Sequence, residues 1–228
     1  MSEAKKPINI VEGRTLQAFA TPVAAFLWPE SEALNAELAA EVLKREAAAG
    51  EGLSRSNVGG WHSDHDLLAW DIPAVKVLHR RILRMTADLT SATLRGAKGA
   101  RFAFAIEAWA NVARAGQYHL VHDHAGSHWS GVYYAATGTP DADARFNGQL
   151  ELLDPRSGTG MVPLHAGSFE ERNMVTPEPG LKVLFPSWLR HHVLPFKGTG
   201  ERISIAFNVR LGRPEDAAPA AAADGAAG

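Results

Sequence analysis

The sequence predicts a mainly β chain, a β-sandwich or jelly roll backed by N-terminal helices. Three observations predict it. Two stretches of helical period come first, several short alternating strands follow, and Gly- and Pro-rich turns such as TGTPDAD, DPRSGTG and TPEPG separate those strands.

Taken in order, residues from Ile8 to Leu27 mix short apolar runs with Gly13 and Pro22, which suits an edge strand or an extended lead-in better than a helix. From Ser31, SEALNAELAAEVLKREAAAG is rich in Ala, Leu and Glu, with Leu34, Leu38 and Val42 four apart. That spacing predicts a helix with Ser31 as N-cap and Gly50 as stop. GLSRSNVGGWHSDHDLLAWDIP has neither period and reads as a long loop, ordered because Trp61 and Trp70 sit in it. His62 and His65 are either surface loop histidines, or His62 joins Trp61 and Ser63 in walling a substrate pocket. A second helix is predicted from Ile72 to Leu94 by the stripe Val75, Leu78, Ile82, Met85, Leu89, with Arg80, Arg81 and Arg84 on a solvated face.

After the Gly96–Gly99 break, RFAFAIEAWANV alternates as a strand, with Phe102, Phe104 and Ile106 on one side and Ala103, Ala105 and Glu107 on the other. Further strands are predicted at Ser130–Ala136, Gln149–Leu153, Leu181–Phe185 and Arg202–Val209. Residues 1–211 read as one domain, and the tail 212–228, almost without large apolar residues, as disordered. There is no internal repeat.

Composition excludes several classes. A net charge of −2 and a pI near 6.6 provide no basic field for a phosphate backbone, so no nucleic-acid partner is expected. No apolar run reaches the ~18 residues of a membrane span, and the N-terminus lacks the apolar segment of a signal peptide, so a cytoplasmic protein that does not enter a membrane is expected. With no cysteine, histidine and carboxylate are the strong metal ligands at hand.

The stretch YHLVHDHAGSHWSGVYY, Tyr118–Tyr134, holds four of the ten histidines. On a regular strand His122 and His124 share a face while Asp123 points away, so two imidazoles converge. A metal site needs at least one further ligand, and His191 or His192 in FPSWLRHHVLP is a candidate. The alternative is that these are exposed or hydrogen-bonded histidines. Downstream, Arg202 and Ser204 share one strand face with Ala206 and Asn208, opposite Ile203, Ile205, Phe207 and Val209. A guanidinium on an inner face needs a partner and its planar fork fits a carboxylate, so the pair reads as a carboxylate clamp or else as a strand-start arginine pairing a surface acid.

The stretches SNVGGWHS, WANVARAGQYHLVHDHAGSHWSGVYY, LLDPR, LFPSWLRHHV and ERISIAFN together resemble the bacterial 2OG-Fe(II) oxygenases within the 2-oxoglutarate/Fe(II)-dependent dioxygenase superfamily. The resemblance implies a double-stranded β-helix, Fe(II) as metal and 2-oxoglutarate as co-substrate. It implies His122 and His191 as metal ligands, Arg202 and Ser204 at the distal carboxylate of 2-oxoglutarate, Tyr134 assisting them and Asn111 lining the pocket. Such an enzyme uses O2 to oxidise a small molecule or peptide, most simply by hydroxylation, with release of succinate and CO2.

One departure stands out. The superfamily pattern is His-x-Asp or His-x-Glu, whereas this chain has His124 at the third position. His124 is expected as the third ligand; the rival has it beside the site, with Glu151, Asp154 or water completing the coordination. Three imidazoles carry no ligand charge and could favour Zn(II) or Ni(II) over Fe(II) during purification. Trp61, Trp70, Trp129 and Trp188 either shape an apolar approach to the metal or are core aromatics. Two other functional classes remain open: a cupin-like three-histidine enzyme that does not use 2-oxoglutarate, and a non-catalytic metal- or ligand-binding module. A homodimer is compatible with exposed edge strands.

Overall fold

The computed structural model describes residues 19–94, 102–158 and 172–212. The expected lead-in before residue 19, the Gly96–Gly99 break, His165, for which the sequence offers no partner, and the tail from residue 213 lie outside the described residues.

Both helices form where their periodicity places them: α1 at Glu32–Ala49 and α2 at Pro73–Thr93. Gly50 ends α1 in a left-handed conformation, φ +68°, that side-chain-bearing residues avoid. Ser31 occupies the N-cap position without capping through its side chain. Its hydroxyl donates to the Trp28 carbonyl at 3.0 Å and accepts from Arg81 at 2.8 Å. Arg81 is thus drawn into the helix pair, while Arg80 and Arg84 are exposed as predicted. Pro73 opens α2 where a missing N–H costs nothing.

The strands are β1 Ala24–Leu27, β2 Asn57–Val58, β3 Trp61–His62, β4 Ala103–Ala113, β5 Tyr118–His122, β6 Trp129–Pro140, β7 Leu150–Leu153, β8 Arg172–Val175, β9 Leu181–Pro186, β10 His191–Val193 and β11 Gly198–Gly212. Among the described residues they form two antiparallel sheets, a major one ordered β1-β9-β6-β11-β4-β3 and a minor one ordered β2-β5-β10-β7-β8. This is the jelly roll the sequence predicts. Four features differ from expectation. The loop between the helices contributes β2 and β3; β8 and β10 were not foreseen; β11 extends well beyond Arg202–Val209; and the strand through His122 stops there, so that Asp123 and His124 lie in the following connection.

Two cores sort the side chains. The helices cover the outer face of the major sheet, where Leu38, Leu78 and Ile82 meet Ala110, Val112, Tyr133, Ile203, Ile205 and Phe207. Fully burying each such Leu or Ile contributes roughly 1.5–3 kcal/mol. Between the sheets lies a smaller apolar cluster of Tyr134, Leu150, Leu152, Val183, Phe185 and Leu189. Adjacent residues Tyr133 and Tyr134 therefore serve opposite faces of β6, as strand alternation requires. The inner face that carries Tyr134 also carries Trp109 and Asn111 of β4 and Arg202, Ser204, Ala206 and Asn208 of β11, and these border one cavity of about 360 Å³. No described helix is long and apolar enough to cross a membrane.

Candidate functional site

Three imidazoles meet at the wall of the cavity. β5 and β10 pair antiparallel with His122 opposite His191, which sets the two rings side by side with centroids 4.3 Å apart. His124 follows two residues later, its backbone N–H held by the Ser187 carbonyl at 2.9 Å. Its ring lies 5.0 Å from that of His122 and 5.1 Å from that of His191. One nitrogen from each of the three lies within 4.8 Å of the others.

Hydrogen bonds select the tautomers. His122 Nδ1 stands 2.7 Å from the Leu120 carbonyl and His191 Nδ1 2.8 Å from the Leu189 carbonyl. A carbonyl only accepts, so both rings carry their proton on Nδ1 and present a bare Nε2, the arrangement typical of metal-binding histidines. Burial, which disfavours the charged form, keeps all three neutral: the His191 pKa is pushed down to about 3, that of His124 to about 4, and that of His122 below its ordinary value. The donor set thus suits a first-row divalent metal.

The inner end of the cavity is cationic and incomplete. Arg202 is 2% exposed, its Nε has no hydrogen-bond partner, and Nη1 reaches only Ser204 Oγ, at 3.5 Å. Its guanidinium lies 5.2 Å from the Tyr134 ring centre. The Tyr134 hydroxyl and Asn111 Oδ1 are likewise buried without partners. Burial lowers the Arg202 pKa and raises that of Tyr134, yet a guanidinium stays charged in a protein. A buried cation facing orphaned polar atoms fits an anion that reaches in from the cavity. Gly148, φ +65°, leaves the room: a Cβ there would stand 3.3 Å from Arg202 Cδ and Nε.

At the outer end His62 and His65 stack on Trp109, with centroids 5.6 and 4.5 Å from it, and Trp109 in turn lies 5.8 Å from His124. His62 Nδ1 donates to the Ser63 carbonyl at 2.6 Å, and burial lowers its pKa. Asn208 donates to Glu107 at 3.0 Å and accepts from Ser130 at 2.7 Å.

Of the pocket residues expected from the sequence, His62 lines this cavity but Trp61, Ser63 and Trp129 do not. Trp61 precedes His62 on β3 and so faces the opposite way, into the core under the helices. The Ser63 hydroxyl is occupied by the Asp64 carbonyl at 2.7 Å and the Ala110 N–H at 2.9 Å. Trp129 donates to Thr90 Oγ1 of α2 at 3.0 Å, behind the sheet. Trp70 is a core residue and Trp188 is exposed away from the cavity. The rival metal ligands are engaged elsewhere. Glu151 contacts His192 at 2.8 Å and Arg172 at 3.1 Å, on the face of the minor sheet opposite His191, and Asp154 pairs with Arg156.

Sequence reasoning missed Trp109, Ser56 and His119. Trp109 is in phase with Asn111 on β4, so alternation could have found it. His119 is out of phase with His122, and only a register shift brings both to the cavity: Val193 pairs His119 where His191 pairs His122, three residues on β5 against two on β10. No local sequence signal announces that bulge. His128 is structural, accepting the Leu211 N–H at 3.1 Å.

Residues 107–208 match the model of the family described as "Putative 2OG-Fe(II) oxygenase". No curated protein matches the chain. Among solved structures, a prolyl-4-hydroxylase from Pseudomonas putida is 18% identical, aligns over 82% of this chain and 91% of its own, and superposes with a TM-score of 0.56. The α-ketoglutarate-dependent carbocyclase SnoK of nogalamycin biosynthesis is 14% identical over 83% of this chain and 79% of its own, TM-score 0.58. A Trichoplax adhaerens prolyl hydroxylase, solved with a peptide fragment of the hypoxia inducible factor oxygen degradation domain, is 14% identical over 82% of this chain and 83% of its own, TM-score 0.55. These likenesses share the jelly roll, and the matched segment contains every histidine of the cluster together with Arg202 and Ser204. Over residues 107–208 the chain is therefore similar to the 2OG-Fe(II) oxygenase family, and beyond that segment the likeness to solved structures is one of fold.

Proposed function

We propose that the protein is an Fe(II)- and 2-oxoglutarate-dependent dioxygenase that hydroxylates a peptide or small molecule. One observation supports this reading above the others: a buried guanidinium with an unsatisfied Nε bordering a cavity whose wall also carries three convergent imidazoles. A cupin-like enzyme or a structural metal site does not need the guanidinium.

In this reading His122, His124 and His191 hold the metal by Nε2 or its equivalent. Arg202 and Ser204 receive the distal carboxylate of 2-oxoglutarate, Tyr134 adds its hydroxyl, and Asn111 borders the chain between. The bound metal supplies the coupling of O2 to two oxidations, 2-oxoglutarate to succinate and CO2 and a substrate C–H to C–OH. The protein's part is to orient and to exclude water. Tyr134, Leu150, Phe185 and Val193 line the inner chamber with apolar surface, so a carboxylate there meets Arg202 with little screening. Trp109, His62 and His65 face the outer chamber, where the substrate is received.

That one structural relative was solved with a peptide and another is a carbocyclase supports both substrate classes for this chain. The test is anaerobic titration of 2-oxoglutarate into Fe(II)-loaded protein, followed by assay of succinate on admitting O2. We expect binding with a visible charge-transfer band, lost in Arg202→Ala. Metal uptake without 2-oxoglutarate binding would sink the reading and favour the cupin-like class.

A further inference from the structure

The wall of the cavity facing the major sheet carries polar groups to which the proposed reaction so far assigns nothing. Ser56 lies just before β2, and β2 pairs with β5 so that Asn57 stands opposite His119. The Leu120 N–H donates to the Ser56 carbonyl at 2.8 Å, which fixes the serine over the histidine strand. Its hydroxyl sits between two rings, 3.3 Å from His119 Nδ1 and 3.4 Å from His122 Nε2. His119 is buried, 9% exposed, and borders the same cavity as Arg202.

The chemistry of this pair is constrained by His122. Its Nδ1 proton is committed to the Leu120 carbonyl, so Nε2 is the nitrogen available to a metal. Once that lone pair is taken, the Ser56 hydroxyl loses an acceptor while remaining beside the metal position. It has one proton to give. The acceptor that arrives with the co-substrate is the carboxylate of its 2-oxo acid end. His119 can supply the complementary bond, donating from Nδ1 to Ser56 Oγ and so aiming the hydroxyl proton into the cavity.

We propose that Ser56 and His119 are positioning residues for 2-oxoglutarate, with Ser56 Oγ–H donating to the carboxylate at the metal end and His119 Nδ1–H holding Ser56 in place. This rests on the oxygenase reading. The co-substrate is then gripped at both ends by elements far apart in sequence, Arg202 of β11 at one and the segment before β2 at the other.

The experiment compares two ligands on Fe(II)-loaded protein under anaerobic conditions: 2-oxoglutarate, and pyruvate, which has the 2-oxo acid end but no distal carboxylate. Removing one hydrogen bond to a charged group weakens binding by about tenfold or more. Ser56→Ala should weaken both ligands by that same factor and leave the Fe(II) affinity, titrated without ligand, within about twofold of wild type. Arg202→Ala should weaken 2-oxoglutarate alone. His119→Phe, which keeps the ring and deletes its nitrogens, should act with Ser56→Ala as one unit, so the double variant binds no worse than the weaker single. If His119→Phe does not fold, the two-ligand comparison on Ser56→Ala decides the question by itself. Unchanged ligand binding in Ser56→Ala overturns the proposal, as does a loss of Fe(II) affinity equal to the loss of ligand affinity, which would mean that Ser56 acts only on His122. If the wild type binds Fe(II) but neither ligand, the oxygenase reading fails first and the positioning role with it.

Discussion

Arg202 shows at the scale of one residue how function opposes stability. Its guanidinium is buried beside Tyr134 with Nε unsatisfied. An unpaired buried charge costs several kcal/mol that an anion can offset. Arg202→Met keeps the length and removes the charge. We expect it to raise the unfolding free energy of the ligand-free protein by about 1–3 kcal/mol while abolishing stabilisation by 2-oxoglutarate, which in the wild type reaches about 2.7 kcal/mol at a hundred times the dissociation constant. Thermal denaturation with and without the ligand reads both; a variant less stable than wild type would show that the buried charge is compensated in the ligand-free protein. Lys182 is a second buried cation, with no carboxylate in contact among the described residues. Its ammonium donates to the Arg81 carbonyl and lies 4.8 Å from the Trp28 ring centre, and the Arg81 guanidinium lies 4.7 Å from the same ring centre. Burial first, and the Arg81 charge second, push its pKa down to about 7 from 10.5. The unfolded chain therefore binds this proton more tightly than the folded one, so the penalty is full below about pH 7 and is relieved as pH rises toward 10.5. Urea unfolding should show stability rising between pH 7 and 9 by up to ~1.4 kcal/mol per unit, and Lys182→Met should flatten that rise and exceed the wild type at pH 6.5. Equal slopes for the two proteins would refute the assignment.

At the scale of elements, the close approach of β6 to its neighbours is set by Gly131. A Cβ built there would stand 2.4 Å from Phe207 Cζ of β11 and 2.5 Å from the Val183 carbonyl of β9, backbone that cannot move aside. Gly131→Ala should destabilise by about 1–3 kcal/mol or more, measured by denaturant midpoint at unchanged m-value; a neutral result would mean that the sheet yields there. Which parts of these elements were legible in the sequence follows from the range of the interactions that form them. The helices were legible because Leu34, Leu38 and Val42, and Val75, Leu78 and Ile82, write their own period. On β11, Ile203, Ile205 and Phe207 against Arg202, Ser204 and Ala206 fixed both faces before any partner was known. β3 was not legible, since two residues, Trp61 and His62, are too few for a period and owe their conformation to pairing with Val112 and Asn111. For the same reason the pocket guess split: alternation sends Trp61 outward and His62 inward. The assumption of a regular strand through His122 and His124 also failed, because β5 ends at His122 and its register on β10 slips by one residue. The histidines still meet, through a loop pinned by Ser187 and a bulge that only the paired strand reveals.

At the scale of the whole molecule, stability and chemistry are divided between the two sheets. The major sheet is backed by both helices and the larger apolar core, and it contributes Arg202, Ser204, Tyr134 and Asn111, the rigid receiving end. The minor sheet shares the smaller core and contributes His122 and His191, with His124 on the connection from β5 of the minor sheet to β6 of the major one. A metal held by all three therefore ties β5, β10 and that connection together where apolar packing is thinnest. Its removal should loosen the minor sheet selectively. Hydrogen exchange on metal-loaded and EDTA-stripped protein is the measurement. We expect protection to fall across Tyr118–His124 and His191–Val193 while α1, α2 and the Ile203–Phe207 stretch of β11 exchange as before, because those amides open only with the whole domain. The global stability lost is bounded by mass action at about 4 kcal/mol for metal at a thousand times its dissociation constant. His124→Ala should leave the protein intermediate between the two states, since two imidazoles still join β5 to β10 but the connection to β6 is released. Protection that falls uniformly over both sheets, or in the helices first, would show that the metal stabilises the fold as a unit and that the division drawn from the two cores is wrong.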